Sequence, residues 1–275
     1  MRDEEKQPLE AKVRVASTGS VPEVLEALAR VEARDRRAEK LKPVLYGGGI
    51  VGAVGAIIAL FLEAPLAVWL GAAVAALLSF LGGIITSRYD VSGRKLEAMY
   101  TLLSTFASEL RRGRPVRLQA NLSGLTKMPA QRDGDRTVYT CDWLHVALPL
   151  ADGTRALVMA RGSLKRKKRR KRKYTKLKDV LAEQLTVQFI PPKGTNYAAN
   201  ASPPRPDVSG FYLTRAEIRP RRALFMFRSR TPRLRRFGRK GWHYGMPGHL
   251  LDGNTIVAAL IQSYRATATA NRALS

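Results

Sequence analysis

The pattern of hydrophobic and polar positions sets one segment of the chain apart. Between residues 43 and 87 the only charged residue is Glu63, although 25% of the whole sequence is charged. Two apolar runs, 44–62 and 65–85, are separated by Glu63-Ala64-Pro65. As helices they would be about 28 and 31 Å long, close to the thickness of a bilayer's hydrocarbon core. Neither run has a polar stripe, so the pattern predicts two transmembrane helices, with a buried hairpin of a soluble protein as the alternative.

Amphipathic segments flank the apolar runs. Residues 1–19 are polar and are predicted to be a disordered tail. Ser20 and Glu23 fit a capping box and Pro43 would stop the helix, so 20–42 is predicted as a juxtamembrane helix. Residues 90–113 are predicted as an amphipathic linker helix that packs on the following domain or, alternatively, lies in the membrane interface. Its apolar face comprises Leu96, Met99, Leu103, Phe106 and Leu110.

After residue 113 the hydrophobic period changes from that of helices to that of strands. Short runs rich in β-branched and aromatic residues alternate with turn signals such as Asp152-Gly153. They predict about five to seven antiparallel strands and then a helix from near Asn254. The predicted fold class is a two-helix transmembrane hairpin plus a cytoplasmic α+β domain, 114–275, dominated by an antiparallel β barrel or sandwich.

The glycines of the first apolar run match a dinucleotide-binding fingerprint in letters only. Gly47, Gly49 and Gly52 fit G-x-G-x-x-G, but no strand can precede them and no acidic residue follows at the distance that ribose binding needs. We therefore predict no cofactor. Small residues instead recur every four positions, which predicts close packing of the two helices on each other, with homo-oligomerisation as the alternative. The predicted packing residues are Gly48, Gly52, Ala56, Gly71, Ala75, Ser79 and Gly83.

Basic residues at the ends of the apolar runs predict the orientation. Lys and Arg precede the first run and follow the second, whereas the loop between them has neither. The positive-inside rule then places both termini in the cytoplasm. The single cysteine, Cys141, cannot form an intramolecular disulfide, which agrees with that compartment. The prediction is an integral membrane protein of a bacterial inner membrane.

Positive charge is concentrated in two segments of the predicted β domain. Residues 161–178 hold twelve Lys or Arg and no acid, and residues 215–240 hold eleven against one acid. Together they carry +22 of the formal net charge of +26. Because such charge repels itself, a polyanion partner is predicted. The predicted polyanion-binding residues are Lys165, Arg166, Lys167, Lys168, Arg169, Arg170, Lys171, Arg172, Lys173, Arg233, Arg235, Arg236, Arg239 and Lys240.

Three polyanions fit this charge. Anionic lipid headgroups are favoured because a tethered domain stays beside the negatively charged cytoplasmic leaflet, and an acidic protein surface is also considered. Nucleic acid is the alternative, since Phe237, Trp242 and Tyr244 lie among arginines and are candidates for stacking on bases. A small oligomeric channel or transporter subunit is a further alternative, although no charge lies within the apolar runs.

Catalytic and metal-binding signals are weak. On one strand Cys141 and His145 would share a face about 13 Å apart, too far to act together. His243 and His249 lack the further ligands that a metal site needs. The sequence therefore predicts a binding protein, with no metal site, and not an enzyme.

Overall fold

The computed structural model describes residues 13–88, 91–170, 172–198, 204–230, 232–238, 241–246 and 250–272. The chain divides into two compact units. We call Ala29–Val91 the helical unit, and Arg14–Leu28 together with the described part of Ser92–Ser275 the sheet unit. The sheet unit is therefore built from two separate stretches of sequence.

Helix α1, Val21–Phe61, is continuous through Pro43. It differs from the prediction, in which Pro43 ends a juxtamembrane helix before a separate span begins at 44. A proline inside a helix removes one backbone hydrogen bond, and Gly47, Gly48 and Gly49 just after it also disfavour a helix, so local propensity does not explain why α1 continues. The helix ends instead at Phe61, and in the turn that follows Glu63 has a left-handed φ of 54° while the amide of Ala64 donates to the carbonyl of Ala59 at 2.9 Å.

Helix α1 and helix α2, Leu66–Arg88, are both long and apolar enough to cross a membrane, by length and composition. In the most apolar 18-residue stretch of each helix, only 6% of α1 and 11% of α2 is buried inside the protein. Large side chains such as Val51, Phe61 and Leu62 are exposed. Core helices of soluble proteins are mostly covered by protein, so this exposure is what helices surrounded by lipid would show.

Small residues line the close approaches between α1 and α2. A Cβ atom at Gly52 would lie 3.2 Å from the Cβ of Ala76, and one at Gly83 would lie 3.0 Å from the Tyr46 ring. At Gly48 the nearest atom would be Ser79 Oγ, at 3.7 Å. Ala56 is half-buried and Ala75 is exposed, whereas Ala76 beside it is buried; at Gly71 an added Cβ would meet nothing within 4 Å. The approach of the two helices therefore runs through positions 48, 52, 76 and 83.

The sheet unit contains one antiparallel sheet of ten strands among the described residues. Its central order is β1-β2-β4-β5-β6-β8-β7, with β3 beside β4, β9 beside β6 and β10 beside β9. The strands are β1 Arg14–Gly19, β2 Val116–Asn121, β3 Ala130–Asp133, β4 Arg136–Pro149, β5 Arg155–Arg170, β6 Thr175–Ile190, β7 Phe211–Arg219, β8 Arg222–Ser229, β9 Arg233–Gly238 and β10 Gly241–Met246.

The sheet is open, so the predicted barrel or sandwich is wrong. Strands β1 and β7 are the two ends of the central order, and they do not pair with each other. Helices α3, Gly93–Phe106, and α4, Gly253–Arg272, pack on each other, and α4 packs on β6. Because helices cover the apolar face of the sheet, no second sheet is needed to bury it.

The two faces of the sheet differ in what covers them. Alternate residues along the central strands, such as Val158, Val187 and Phe225, are fully buried, and the Phe189 ring lies 5.6 Å from that of Tyr264 on α4. We call this the covered face and the opposite one the open face. Four of the five residues predicted for the linker helix's apolar face are buried, at 96, 99, 103 and 106, so the linker helix packs on its own domain.

The first stretch of the sheet unit is ordered from β1 onward. All of β1 pairs with β2, from Arg14 opposite Asn121 to Gly19 opposite Val116. Val24 and Leu28, in the first turns of α1, are fully buried, and the Ser20 amide donates to Glu23 at 2.7 Å as the capping box predicts. The predicted disorder of residues 1–19 is therefore wrong for 14–19, and residues 1–12 lie outside the described part of the chain.

Replacing Gly52 by Leu tests the close approach of α1 and α2. The added side chain would overlap backbone atoms of Ala76, which cannot move without separating the helices. We expect Gly52→Leu to lower the free energy of unfolding by about 1–3 kcal/mol. The measurement is a denaturant titration of the full chain in micelles, followed by circular dichroism.

Gly55→Leu is the matched control, because an added Cβ at Gly55 meets nothing within 4 Å. It makes the same substitution in the same helix, and the helix propensity of Leu should leave stability equal or raised by less than about 1 kcal/mol. Equal losses in the two variants would contradict the packing described here.

Candidate polyanion-binding surface

The long basic run is part of a β-hairpin. Lys165–Arg170 are the last six residues of β5, Arg172 and Lys173 lie in the turn, and Lys171 is outside the described residues. Strand β5 pairs with β6 along its whole length, from Arg155 opposite Ile190 to Arg170 opposite Thr175. Backbone hydrogen bonds therefore hold six consecutive cations in an extended strand, although their charges repel each other.

The second basic segment lies on the other side of β6. Strand β9 pairs with β6 from Arg233 opposite Leu181 to Phe237 opposite Leu177. Strands β5 and β9 are thus neighbours of one strand, about 10 Å apart across it. Arg233, Arg235 and Arg236 lie on β9, whereas Arg239 and Lys240 are outside the described residues. We call residues 136–139 of β4, 165–170 of β5, 175–181 of β6 and 233–238 of β9 the basic end of the sheet.

On the covered face of the basic end, opposite charges alternate across the strands. Thr137, Arg166, Asp179 and Arg235 are directly opposite one another on β4, β5, β6 and β9. The Asp179 carboxylate is fully buried and accepts two hydrogen bonds of 2.8 Å from Arg166 and one of 3.4 Å from Arg235. The hydrogen bonds with Asp179 raise the pKa of the Arg166 guanidinium. One buried acid therefore holds an arginine from each basic segment.

On the open face, the adjacent row has four cations and no acid between them. Arg136, Lys167, Lys178 and Arg236 are directly opposite one another on the same four strands. Asp135, in the turn before β4, pairs with Lys167 and lies 3.7 Å from Arg136. The hydrogen bond from Lys167 lowers the pKa of Asp135. Lys178 and Arg236 are exposed, and neither has an acidic partner within the described parts of the chain.

The three candidate stacking residues lie on the β9–β10 hairpin. Phe237 is half-buried on β9, and Trp242 and Tyr244 are on β10, where the sequence predicted a Gly-rich loop. In the backbone register Trp242 is opposite Phe237 and Tyr244 is opposite Arg235. The hairpin therefore brings candidate stacking positions beside the second basic segment.

The weaker chemical candidates are separated by the fold. Strand β4 has an irregularity between Asp142 and Leu144, so Cys141 is opposite Gly162 on the covered face and His145 is opposite Met159 on the open face. The prediction that Cys141 and His145 share a face is therefore wrong. His243 is on β10 and His249 lies outside the described residues. Within the described ranges no group of three metal-ligating side chains is found.

No protein-family model, curated protein or solved structure matches this chain. Its function must therefore be argued from the surface itself.

Sequence reasoning missed Arg136, Lys178 and Asp179 as members of this surface. Lys178 is the last residue of the first basic segment and Asp179 follows it, but strand pairing places both between the two segments, as it places Arg136 opposite Lys167. The available signal was the period of two in β6, which places Lys176 and Lys178 on one face and Asp179 on the other.

Replacing Asp179 by Asn tests whether this carboxylate holds the basic end together. The change keeps the shape and removes the charge that two arginines share in a buried position. Because two partly buried arginines would be left without their counter-charge, we expect the free energy of unfolding to fall by about 2–4 kcal/mol. The measurement is urea denaturation of the full chain in micelles, followed by tryptophan fluorescence.

Asp142→Asn provides the comparison. Asp142 makes the same type of cross-strand pair, with Arg161, but both side chains are more than half exposed. Exposed ion pairs contribute little, so the loss should stay below about 1 kcal/mol. A loss for Asp179→Asn as small as that for Asp142→Asn would show that the buried pair does not stabilise the sheet.

Proposed function

We propose that this protein is a membrane-anchored binding protein whose basic end binds a polyanion, foremost the headgroups of anionic lipids. The observation that carries the proposal is the row of four cations on the open face, Arg136, Lys167, Lys178 and Arg236. In the adjacent row on the covered face strand β6 contributes an acid, Asp179, whereas in this row it contributes Lys178. Like charges directly opposite on neighbouring strands destabilise a sheet. A row of this kind is explained by an external anion that binds it.

Tethering favours lipid as that anion. Two apolar helices in the same chain would keep the sheet unit close to a bilayer, where each Lys or Arg near an anionic surface contributes about 1 kcal/mol. The proposed topology has both termini in the cytoplasm of a bacterial cell, on the side where the inner leaflet is negatively charged. On one side of the row the neighbours on the open face are Val138, Val180 and Leu234, which carry no ring, and on the other side the exposed Tyr174 ring lies beside Gly238.

Nucleic acid is the second candidate, and the β9–β10 hairpin is the observation that favours it. Its register places Trp242 opposite Phe237 at the edge of the basic end. Aromatic residues beside arginines suit single-stranded nucleic acid, in which bases stack while phosphates bind cations. An acidic protein surface would bind through the cations alone and would not need the aromatic residues.

A capture assay distinguishes these partners. The full chain is placed in nanodiscs of neutral lipid. It is then mixed with sedimenting vesicles that contain either about 30% anionic lipid or no anionic lipid. We expect capture by the anionic vesicles only, and a steep loss of capture between 50 and 200 mM salt, roughly as counter-ion release predicts. Duplex DNA and single-stranded RNA are added as competitors at the same phosphate concentration.

Two variants of equal charge change locate the binding surface. One replaces Lys165, Lys167, Lys168, Arg169 and Arg170 by Gln and keeps Arg166, which holds Asp179. The other replaces five exposed arginines far from the basic end, namely Arg111, Arg112, Arg114, Arg117 and Arg155. Arg155 is about 40 Å from Lys167 along β5, several Debye lengths at physiological salt.

The first variant should lose at least about a hundredfold in affinity for anionic vesicles, and the second less than about tenfold. Unchanged capture by the first variant, or equal losses in both, would rule out the basic end as the binding surface.

A further inference from the structure

The basic end contains two neighbouring rows of charged residues, one in which opposite charges alternate and one that contains only cations. On the covered face the order across β5, β6 and β9 is Arg166, Asp179 and Arg235, so the central acid neutralises both neighbours. On the open face the order one position away is Lys167, Lys178 and Arg236. The strand that supplies the buried acid therefore supplies a lysine on its exposed side.

The open-face row extends into a small planar array. Neighbouring strands are about 4.8 Å apart, so the four cations from Arg136 to Arg236 span about 14 Å. Two residues further along the strands, Arg169 is directly opposite Lys176 on the same face. Asp135, which serves Lys167 and Arg136 at one end of the row, is the acid found beside the array among the described residues.

We propose that Arg136, Lys167, Lys178 and Arg236 form the phosphate-binding row of this protein, and that the phosphates of anionic lipid headgroups occupy it. The inference rests on the proposed function and assigns its site. Charge complementarity identifies the ligand as a set of phosphates. The flat, regular spacing suits headgroups that lie in a plane. Val138 and Val180 on one side of the row carry no ring, whereas the exposed ring of Tyr174 lies beside Gly238 past its other side, so competition with nucleic acid is part of the test.

The row predicts an opposite effect of one substitution on stability and on binding. In the unbound protein Lys178 is repelled by a cation on either side, at Lys167 and Arg236. Lys178→Asp would reproduce the alternating pattern of the covered face, which relieves this repulsion. The same change would take the centre of the row away from the phosphates. A lysine with only a structural role would not give this pair of effects.

The test compares Lys178→Asp with Lys193→Asp in the full chain. Lys193 is exposed, three residues beyond the far end of β6 and outside the basic end, so the control changes the charge by the same amount away from the row. Both variants, in neutral nanodiscs, are assayed for capture by vesicles with and without anionic lipid, and for Tm by tryptophan fluorescence.

For Lys178→Asp we expect at least about a tenfold loss of affinity for anionic vesicles, together with a rise in Tm of about 2–4 °C. For Lys193→Asp the affinity should stay within about threefold of the wild type. A lower Tm for Lys178→Asp would overturn the argument from repulsion, and equal affinity losses in the two variants would overturn the assignment of the row.

Failure of the proposed function would look different. If the wild-type protein captures neither anionic vesicles nor nucleic acid, the function itself is wrong. If duplex DNA or single-stranded RNA displaces the vesicles at matched phosphate concentration and Lys178→Asp abolishes that competition, the lipid assignment is overturned in favour of nucleic acid.

Discussion

The buried carboxylate of Asp179 is the interaction on which the basic end of the sheet depends. It lies on the strand between the two basic segments and accepts hydrogen bonds from Arg166 on one side and Arg235 on the other. Without it, every charged residue of β5, β6 and β9 in the basic end would be a cation, on both faces of the sheet. A carboxylate shielded from water acts strongly on charges in contact with it, so one residue can hold two segments that are far apart in sequence.

The same strand, β6, also ties the basic end to the rest of its unit. Glu183, four residues after Asp179 on the same face, is buried and accepts hydrogen bonds from Arg94 of α3 at 2.9 and 2.8 Å. Of these two buried acids, Asp179 holds the basic strands β5 and β9, and Glu183 holds helix α3 on the core. Both carboxylates are shielded from water, and Asp179 counteracts an arginine from each basic segment.

Local features of the fold could be predicted from the sequence, and pairings over a long distance could not. The apolar runs, the capping box at Ser20 and the turn at Asp152-Gly153 are local signals, and each is present in the structure. Strand β1 pairs with residues about a hundred positions away and β9 with residues 52 to 60 positions away, and no hydrophobic period reveals such pairings. Pro43 shows the reverse limit, because it is a strong local signal for a helix end and α1 nevertheless continues through it. For the same reason sequence could identify two basic segments, but could not show that β6 joins them.

The discontinuous sheet unit has a consequence for how the protein is made. Strand β1 leaves the ribosome first, but its partner β2 lies beyond the whole apolar hairpin. At about 5–20 residues per second, β1 would wait roughly 5–20 s for that partner. During that interval its edge is unpaired, while the apolar helices are already emerging. Completion of the sheet is therefore coupled to the folding of the apolar hairpin. A delay in the hairpin would leave β1 unpaired for longer and available to pair with other strands.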